Sequence, residues 1–572
     1  MTSHRVATHG GDESALPLPK LFLCVRDYTV VALAADVVAG VTVGLVALPL
    51  AMAFAIASGV APQAGIYCAI VAGFLISALG GSRTQIGGPT GAFVVVIAAI
   101  VSKHGLDGLF MCTMMAGVVL VLLGVTGLGT AVKYIPRPVV IGFTNGIAVL
   151  IASTQIKDLF GLTIPEMPGE FLGRLQAIGA HWDSLSWPAT GVSAGALAGM
   201  LLVRRYLPAV PGSVLALFLG TAVVWAVGLP LETIETRFGG IPSGLPTFSV
   251  PRFRADLILP LLSPTLTVAM LGAIESLLSA VVADRMSGDK HNPNVELFAQ
   301  GVANLMSPLV GGLPATGAIA RTATNIRSGA RTPVAGMVHA LTLLLVVLVA
   351  APLAKHIPLC VLAAILMVVA WNMGEWSEVP EILKLSRADI AVWVITFTLT
   401  VLADLTVAVE AGMILAALLY IRKVTVTTTV SRVTPDYVAD GVAHSLQSNP
   451  IPDGVVVYRI HGPFLFGATD KLAIIEEALE DLPAVVVLRL RNMTAIDATG
   501  LNALEHLADT MHASGRHLVL CGMRDQPATL MAQAEFHRHI GDANLQPDLA
   551  AGLARAREIL ANDPMEPHRR SA

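Results

Sequence analysis

From Asp36 to Tyr420 the chain runs as a series of apolar stretches parted by short polar joints. The stretches are mostly about 20 residues long, the length an α-helix needs to cross a bilayer. Fourteen such segments, two of them short, centre near residues 47, 71, 95, 117, 147, 197, 219, 271, 302, 325, 342, 365, 396 and 412. The polar run Glu232–Arg254 after the seventh divides them into two halves of seven. Past Arg422 and Lys423 the pattern changes. VVVYRI and AVVVLRL read as strands, LAIIEEALEDL and GLNALEHLADTMHASG as amphipathic helices, and HLVLCGM as a third strand. Such alternation predicts a small α/β domain. The resulting division is a cytosolic segment 1–35, a transmembrane domain 36–424, a linker 425–453, an α/β domain 454–562 and a loose tail 563–572.

Composition agrees. Charged residues are 13% of the 572, hydrophobic residues 54%, and the mean hydropathy is +0.71; a soluble domain carries about 25% charged residues. The chain is expected to be a multi-pass protein of the plasma (inner) membrane. The net charge of −4 comes with no basic stripe, so nucleic acid is not an expected partner. The five cysteines are scattered without a C-x-x-C pair, which argues against a disulfide framework or a zinc site. Loops assigned to the cytosol hold Arg83, Lys133, Arg137, Arg204, Arg205, Arg285, Lys290, Arg327 and Arg331; those assigned outside hold Lys103, Lys157, Arg174, Arg237 and Lys355. That bias puts both termini in the cytosol.

Two strings interrupt the apolar pattern. GGPTGA spans Gly87–Ala92 and GGLPATGA spans Gly311–Ala318, with their first glycines 224 residues apart. Segments 1 and 8 begin near Asp36 and Leu259, 223 apart, so the strings sit at equivalent places in two related halves. An odd number of segments per half inverts the second half, a recurrent transporter plan with broken helices near the midplane. Irregular backbone at membrane depth must line a cavity or lie within protein. The helical runs AFVVVIAAI and AIARTATNI follow the strings, in segments 3 and 10. Their N-termini, with free N–H groups and partial positive charge, suit an anion. Ala92 and Ala318 keep the space open, Thr90 and Thr316 are expected helix caps, and Phe54 and Phe93 are candidate walls. No P-loop and no H-E-x-x-H occurs, so an ion gradient rather than a built-in ATPase is the expected energy source.

Glu275 lies mid-segment in LTVAMLGAIESLLSAVVA. A carboxylate at that depth is costly unless paired or protonated, and is by default functional. It suits a proton carrier; sodium, held by Glu275, Ser279 and backbone carbonyls, is the rival. Ser279, at i+4, is an expected hydrogen-bond partner of Glu275, and the kinked stretch at Pro49 and Ala51 is expected to face it. Arg321 either adds positive potential to the anion site, pairs with Glu275 or extends to the cytosolic interface. Asp404 and Glu410 flank the junction of segments 13 and 14, and His339 reads as a packed histidine.

VALPLAMAFAIASGVAPQAGIY, GGPTGAF, ESLLSAVVAD and GGLPATGAIARTATNIRSGARTPVAG, with the α/β domain, resemble the SulP anion transporters and their STAS domain. The resemblance covers nearly the whole chain from Asp36 to Leu560. It implies seven-plus-seven inverted repeats, with a core of segments 1–4 and 8–11 moving against a gate of 5–7 and 12–14, and a homodimer. It implies substrate binding by Gly91, Ala92, Phe93, Ile319, Ala320, Arg321 and Phe54, with Glu275 as the coupling group. The family's phosphoserine string D-S-[ST]-G reads Asp497-Ala498-Thr499-Gly500 here, so phosphorylation at that place is not expected. Thr499 is expected to cap the following helix. The domain reads as an interaction or assembly module able to recruit a cytosolic partner. The expected function is not enzymatic and needs no cofactor. It is proton-coupled import of a small oxyanion, which is sulfate, bicarbonate or a C4-dicarboxylate, by an elevator-like alternating-access movement. Sodium-coupled bicarbonate import and an uncoupled channel or exchanger are the alternatives.

Overall fold

The computed structural model describes residues 18–562 except 27, 131–135, 166, 208–209, 242–243, 245, 404 and 434–449. The expected tail 563–572, most of the linker, the first seventeen residues, Lys133 and Asp404 therefore lie outside the described residues. Contacts divide the chain into two compact units, 1–414 and 415–572.

The first unit is helical. α1 (Lys20–Val25), α2 (Val30–Ala57) and α3 (Pro62–Leu79) lead to a two-residue strand β1 (Gly87–Gly88), a 3-10 turn Gly91–Phe93 and α4 (Val94–Val125). α5 (Arg137–Phe160), α6 (Phe171–Ala180), α7 (Trp187–Tyr206), α8 (Gly212–Val227) and α9 (Ile234–Phe238) complete the first half. The second half holds α10 (Ile258–Ser287), α11 (Pro293–Met306), β2 (Thr316–Gly317), α12 (Ile319–Arg327), α13 (Val334–Ala354), α14 (Leu359–Met373), α15 (Val379–Ile382), α16 (Arg387–Leu402) and α17 (Leu405–Thr427). The helix at residue 30 starts six residues before Asp36, and α1 lies in what reads as a tail.

Among the described residues, seven helical stretches are long and apolar enough to cross a membrane: 30–57, 62–79, 91–125, 137–160, 255–287, 334–354 and 359–382. Two expected centres, 95 and 117, share the stretch 91–125, which is broken only at Gly105 (φ 69°). The centres 197, 219, 302, 325, 396 and 412 fall on helices outside that set, so the count of fourteen crossings stays an expectation. Local signals account for the ends. Proline opens α3 and α11, and left-handed glycines close α5, α8 and α10. Pro49 and Pro264 sit inside α2 and α10, where each removes a backbone donor.

α11 packs on α4, α13 on α2 and α3, and α10 on α4 and α12; separately, α5 packs on α14 and α16, and α7 on α8 and α14. Small residues permit the closest approaches. A Cβ on Gly301 of α11 would stand 2.5 Å from the Val121 nitrogen of α4. Val30 to Ile258 and Gly91 to Ile319 are each 228 residues apart, while Pro62 and Pro293, the starts of α3 and α11, are 231 apart. The glycine strings lie 224 residues apart at their first glycines and 226 at their last alanines, because the second is two residues longer.

The second unit carries a sheet in the order β3 (Thr429–Arg432), β4 (Val455–Phe464), β5 (Val485–Ile496), β6 (His517–Cys521) and β7 (Leu545–Gln546). β3 pairs antiparallel with β4 and the rest are parallel. β3 lies in the stretch expected to be linker. α18 (Ala473–Glu477), α19 (Ala498–Ala513), α20 (Asp525–Gln533), α21 (His537–Ile540) and α22 (Leu549–Asn562) complete it. Alternate valines and leucines on the strands feed two cores: Tyr458, Leu488 and Leu520 pack with Leu504 of α19 and Met531 of α20, while Val457, Val487 and Val519 pack with Leu553 of α22. Asp497, not Thr499, caps α19 by accepting from the Gly500 N–H at 2.8 Å, and its other oxygen accepts from the Phe466 N–H at 3.0 Å.

Candidate functional site

The two interrupting strings come together. β1 and β2 pair antiparallel, with Gly87 opposite Gly317 and Gly88 opposite Thr316. Gly88 has φ 144°, and a Cβ there would stand 2.7 Å from Nη1 of Arg321, so this position requires glycine. Immediately after each strand a helix begins, the 3-10 turn at Gly91 and α12 at Ile319. Neither start is capped by a side chain. Thr90 instead donates from Oγ1 to Oε2 of Glu275 at 2.8 Å, and Thr316 donates to the Gly272 carbonyl at 3.0 Å and meets Ser276 Oγ at 2.7 Å. The threonines are thus not caps, because the neighbouring helix α10 offers them stronger or nearer partners.

The second strand is stapled by side chains from its surroundings. Asn304 donates to the Ala315 carbonyl at 2.8 Å and accepts from the Ala315 N–H at 2.9 Å; Ser307 donates to the Leu313 carbonyl at 2.6 Å; Ser276 accepts from the Gly317 N–H at 3.1 Å. The first strand hangs largely on the second. The Ile86 N–H donates to Thr322 Oγ1 at 3.0 Å, Asn325 donates to the Thr84 carbonyl at 2.9 Å, and the Ala318 N–H donates to the Ile86 carbonyl at 2.8 Å. Arg321 donates from Nη2 to the Pro89 carbonyl.

Both helix starts open onto one cavity of about 270 Å³. Thr90, Gly91 and Ala92 line it from one side, and Ala318, Ile319, Ala320 and Arg321 from the other. Glu275 reaches it from α10, Leu50 and Phe54 from α2, and Phe143 and Thr144 from α5. A largely apolar wall with two uncapped backbone ends is suited to an anion: the N–H groups supply the attraction, and a low-dielectric surround strengthens it.

Of the nine sequence-predicted site residues, the cavity gathers seven: Phe54, Gly91, Ala92, Ile319, Ala320, Arg321 and Glu275. Phe93 is buried and does not line it; its ring points towards Gly272 of α10. Ser279 is also buried off the cavity, and its hydroxyl meets Thr322 Oγ1 at 3.1 Å. The hydrogen bond expected between Ser279 and Glu275 is made by Thr90 instead, since Ser279 faces α12. Arg321 is buried, which rules out extension to the interface, and among the described residues it forms no ion pair with Glu275. Leu50 and Phe54, rather than Ala51, are the α2 residues at the cavity. His339 is buried as expected. Glu410 is exposed on α17. Sequence reading missed Thr144, Asn372, Met373 and Glu375 as lining residues. Only the non-glycine positive φ of Glu375 (43°) marks it, and that is visible only in the backbone.

The profile of the sulfate permease family matches residues 33–396, and that of the STAS domain matches residues 448–552. YvdB of Bacillus subtilis (strain 168), provisionally named a sulfate transporter, is 41% identical over 514 residues, covering 88% of this chain and 94% of YvdB. The bicarbonate transporter BicA of Synechocystis sp. is 31% identical over 544 residues, covering 93% of this chain and 95% of BicA. Among solved structures, the murine solute carrier 26 family member A9 anion transporter, in the inward-facing state, superposes with a TM-score of 0.83 at 17% identity, covering 95% of this chain and 94% of that one. That last likeness is one of fold.

Proposed function

This chain belongs to the sulfate permease family, and we propose that it imports a small oxyanion, sulfate or bicarbonate, across the plasma membrane by coupling to protons. The observation that carries the proposal is the convergence of two uncapped helix starts and one carboxylate, Glu275, on a single cavity. The anion sits between Gly91–Ala92 and Ile319–Ala320, where backbone N–H groups recognise charge more than identity. Phe54 bounds the site and Arg321, behind β1, adds positive potential. Glu275 and the anion share one cavity, so a proton on Glu275 lessens the repulsion between them. Proton uptake and anion binding then favour each other, which is the requirement for cotransport. Ser279 supports α12 through Thr322 rather than binding the ion.

Two packing groups, one of α2, α3, α4, α10, α11, α12 and α13 and one of α5, α7, α8, α14 and α16, support an elevator-like movement of core against gate. An inverted second half, cytosolic termini and a homodimer belong to the same proposal, with the STAS domain as an assembly or recruitment module. The names of the relatives support sulfate and bicarbonate over a C4-dicarboxylate.

The test is uptake of labelled sulfate and bicarbonate into proteoliposomes under an inward proton gradient, an inward sodium gradient or neither. Accumulation of one anion with the proton gradient alone is the expected result. Accumulation that requires sodium makes the protein a sodium-coupled importer, and mere equilibration makes it a channel or exchanger.

A further inference from the structure

An acid that cotransport does not call for lines the transport cavity. Glu375 reaches it from the turn that follows α14. Its backbone is left-handed (φ 43°, ψ 39°), a conformation that residues other than glycine seldom adopt. Such a conformation persists only where the surrounding structure imposes it. Here Asn145 of α5, fully buried, donates from Nδ2 to the Gly374 carbonyl and accepts at Oδ1 from Nε1 of Trp393 of α16 at 2.9 Å. The Trp376 ring closes over Gly374, where a Cβ would stand 2.4 Å from it. The Glu378 N–H donates to the Glu375 carbonyl at 2.8 Å. Side chains of α5 and α16 thus hold the turn that presents this carboxylate.

Among the described residues the Glu375 side chain makes no hydrogen bond and no ion pair. Two cations near it have other partners: Arg137 at the start of α5 pairs with Glu378, and Arg204 of α7 donates from Nη1 to Asn372 Oδ1 at 3.4 Å. The charged residues that line the cavity are Glu275, Arg321 and Glu375. With Glu275 protonated, as cotransport requires, Arg321 and Glu375 offset one another. What remains is the partial positive charge of the two uncapped helix starts, about half a unit each. Together these neutralise a monoanion. A dianion would keep an uncompensated charge inside a largely apolar cavity, which is costly. At about 270 Å³ the cavity has room for either ion, so charge rather than size separates them.

Resting on the anion site and the protonated Glu275 of the proposed function, we propose that Glu375 sets the charge preference of the cavity. The site takes a singly charged oxyanion, bicarbonate, in preference to the doubly charged sulfate, and Glu375 is the residue that rejects the second charge. A placed like charge is an ordinary route to specificity. Its repulsion enters once for each unit of charge on the anion, so removing it favours sulfate more than bicarbonate. Glu375 is exposed, which keeps the effect modest and dependent on salt.

The test is equilibrium exchange of labelled sulfate and of labelled bicarbonate in proteoliposomes, at one fixed alkaline pH and with each anion below half-saturation. The unaltered protein should exchange bicarbonate faster than sulfate. At low ionic strength Glu375→Gln should raise sulfate exchange about threefold and bicarbonate exchange only about 1.7-fold, the same repulsion being felt once instead of twice. Added salt should shrink the difference. Glu375→Asn, whose side chain suits a left-handed backbone, should change the ratio in the same way and with the turn intact. Equal gains for both anions, a ratio that neither variant changes, or an unaltered protein that prefers sulfate overturns the proposal. Exchange at equilibrium needs no proton gradient, so a failure of proton coupling shows separately, as lost accumulation, while the ratio of the two anions decides the charge preference.

Discussion

The two breaks in the membrane unit look alike in sequence and are held quite differently. Around β2, Ser276 of α10, Asn304 of α11 and Ser307 just after α11 hold the backbone, so residues 313–317 are pinned by side chains outside them. Around β1 the pins come mostly from the far side of the second break, through Thr322, Asn325 and Arg321 of α12. Gln85, just before β1, also donates to the Ser276 carbonyl at 3.1 Å. One frame is thus rigid in its own right and the other is attached to it. The two helix starts are thereby tied together, since neither can shift without breaking bonds to its partner.

Asn304→Leu attacks the rigid frame and has the largest expected effect. It leaves the N–H and C=O of Ala315 buried without partners, at about 1–3 kcal/mol for each such group. The unfolding temperature in detergent should fall sharply and both breaks should lose protection against hydrogen exchange. Thr322→Val cuts a link between the frames instead. It removes the acceptor of the Ile86 N–H and should cost about 1–2 kcal/mol. Exchange should rise at Ile86 and the residues around it while Ala315 stays protected; equal loosening of both breaks would show that the asymmetry is wrong.

Ala320→Leu leaves the frames alone and fills the space between them. Ala320 is exposed to the cavity, so oxyanion affinity should fall about tenfold or more with no change in unfolding temperature. Normal affinity would move the site away from α12. The smallest expected effect belongs to Glu375→Gln. Glu375 is an exposed acid on the cavity lining, and its removal should raise anion uptake about two- to threefold at low ionic strength and less in salt.

The readability of the sequence follows the same divide. Apolar runs, proline and glycine ends, the two strings and the isolated Glu275 are local signals; the family resemblance supplied most of the named residue set, and seven of its nine members line one cavity. Helix spacing could say that Ser279 shares a face with Glu275, but not that α12 packs over Ser279 while Thr90, 185 residues from Glu275, takes the carboxylate. The pairing of Gly87 with Gly317 is a long-range register that no periodicity encodes. β3 was unreadable for a related reason: its four residues alternate weakly in burial and become a strand by pairing with β4. The fourteen expected centres include α11, α12 and α16, whose shortness separates a membrane-buried helix from a full crossing only in three dimensions.

The central claim is that Glu275 couples protons to an anion bound between the two helix starts. Proteoliposomes containing Glu275→Gln, which keeps the side chain's shape and its acceptor for Thr90, test it most directly. The account predicts that the variant still exchanges labelled oxyanion for unlabelled oxyanion at equilibrium but no longer accumulates it under an inward proton gradient. Accumulation equal to that of the unaltered protein would contradict the claim and place the coupling group elsewhere.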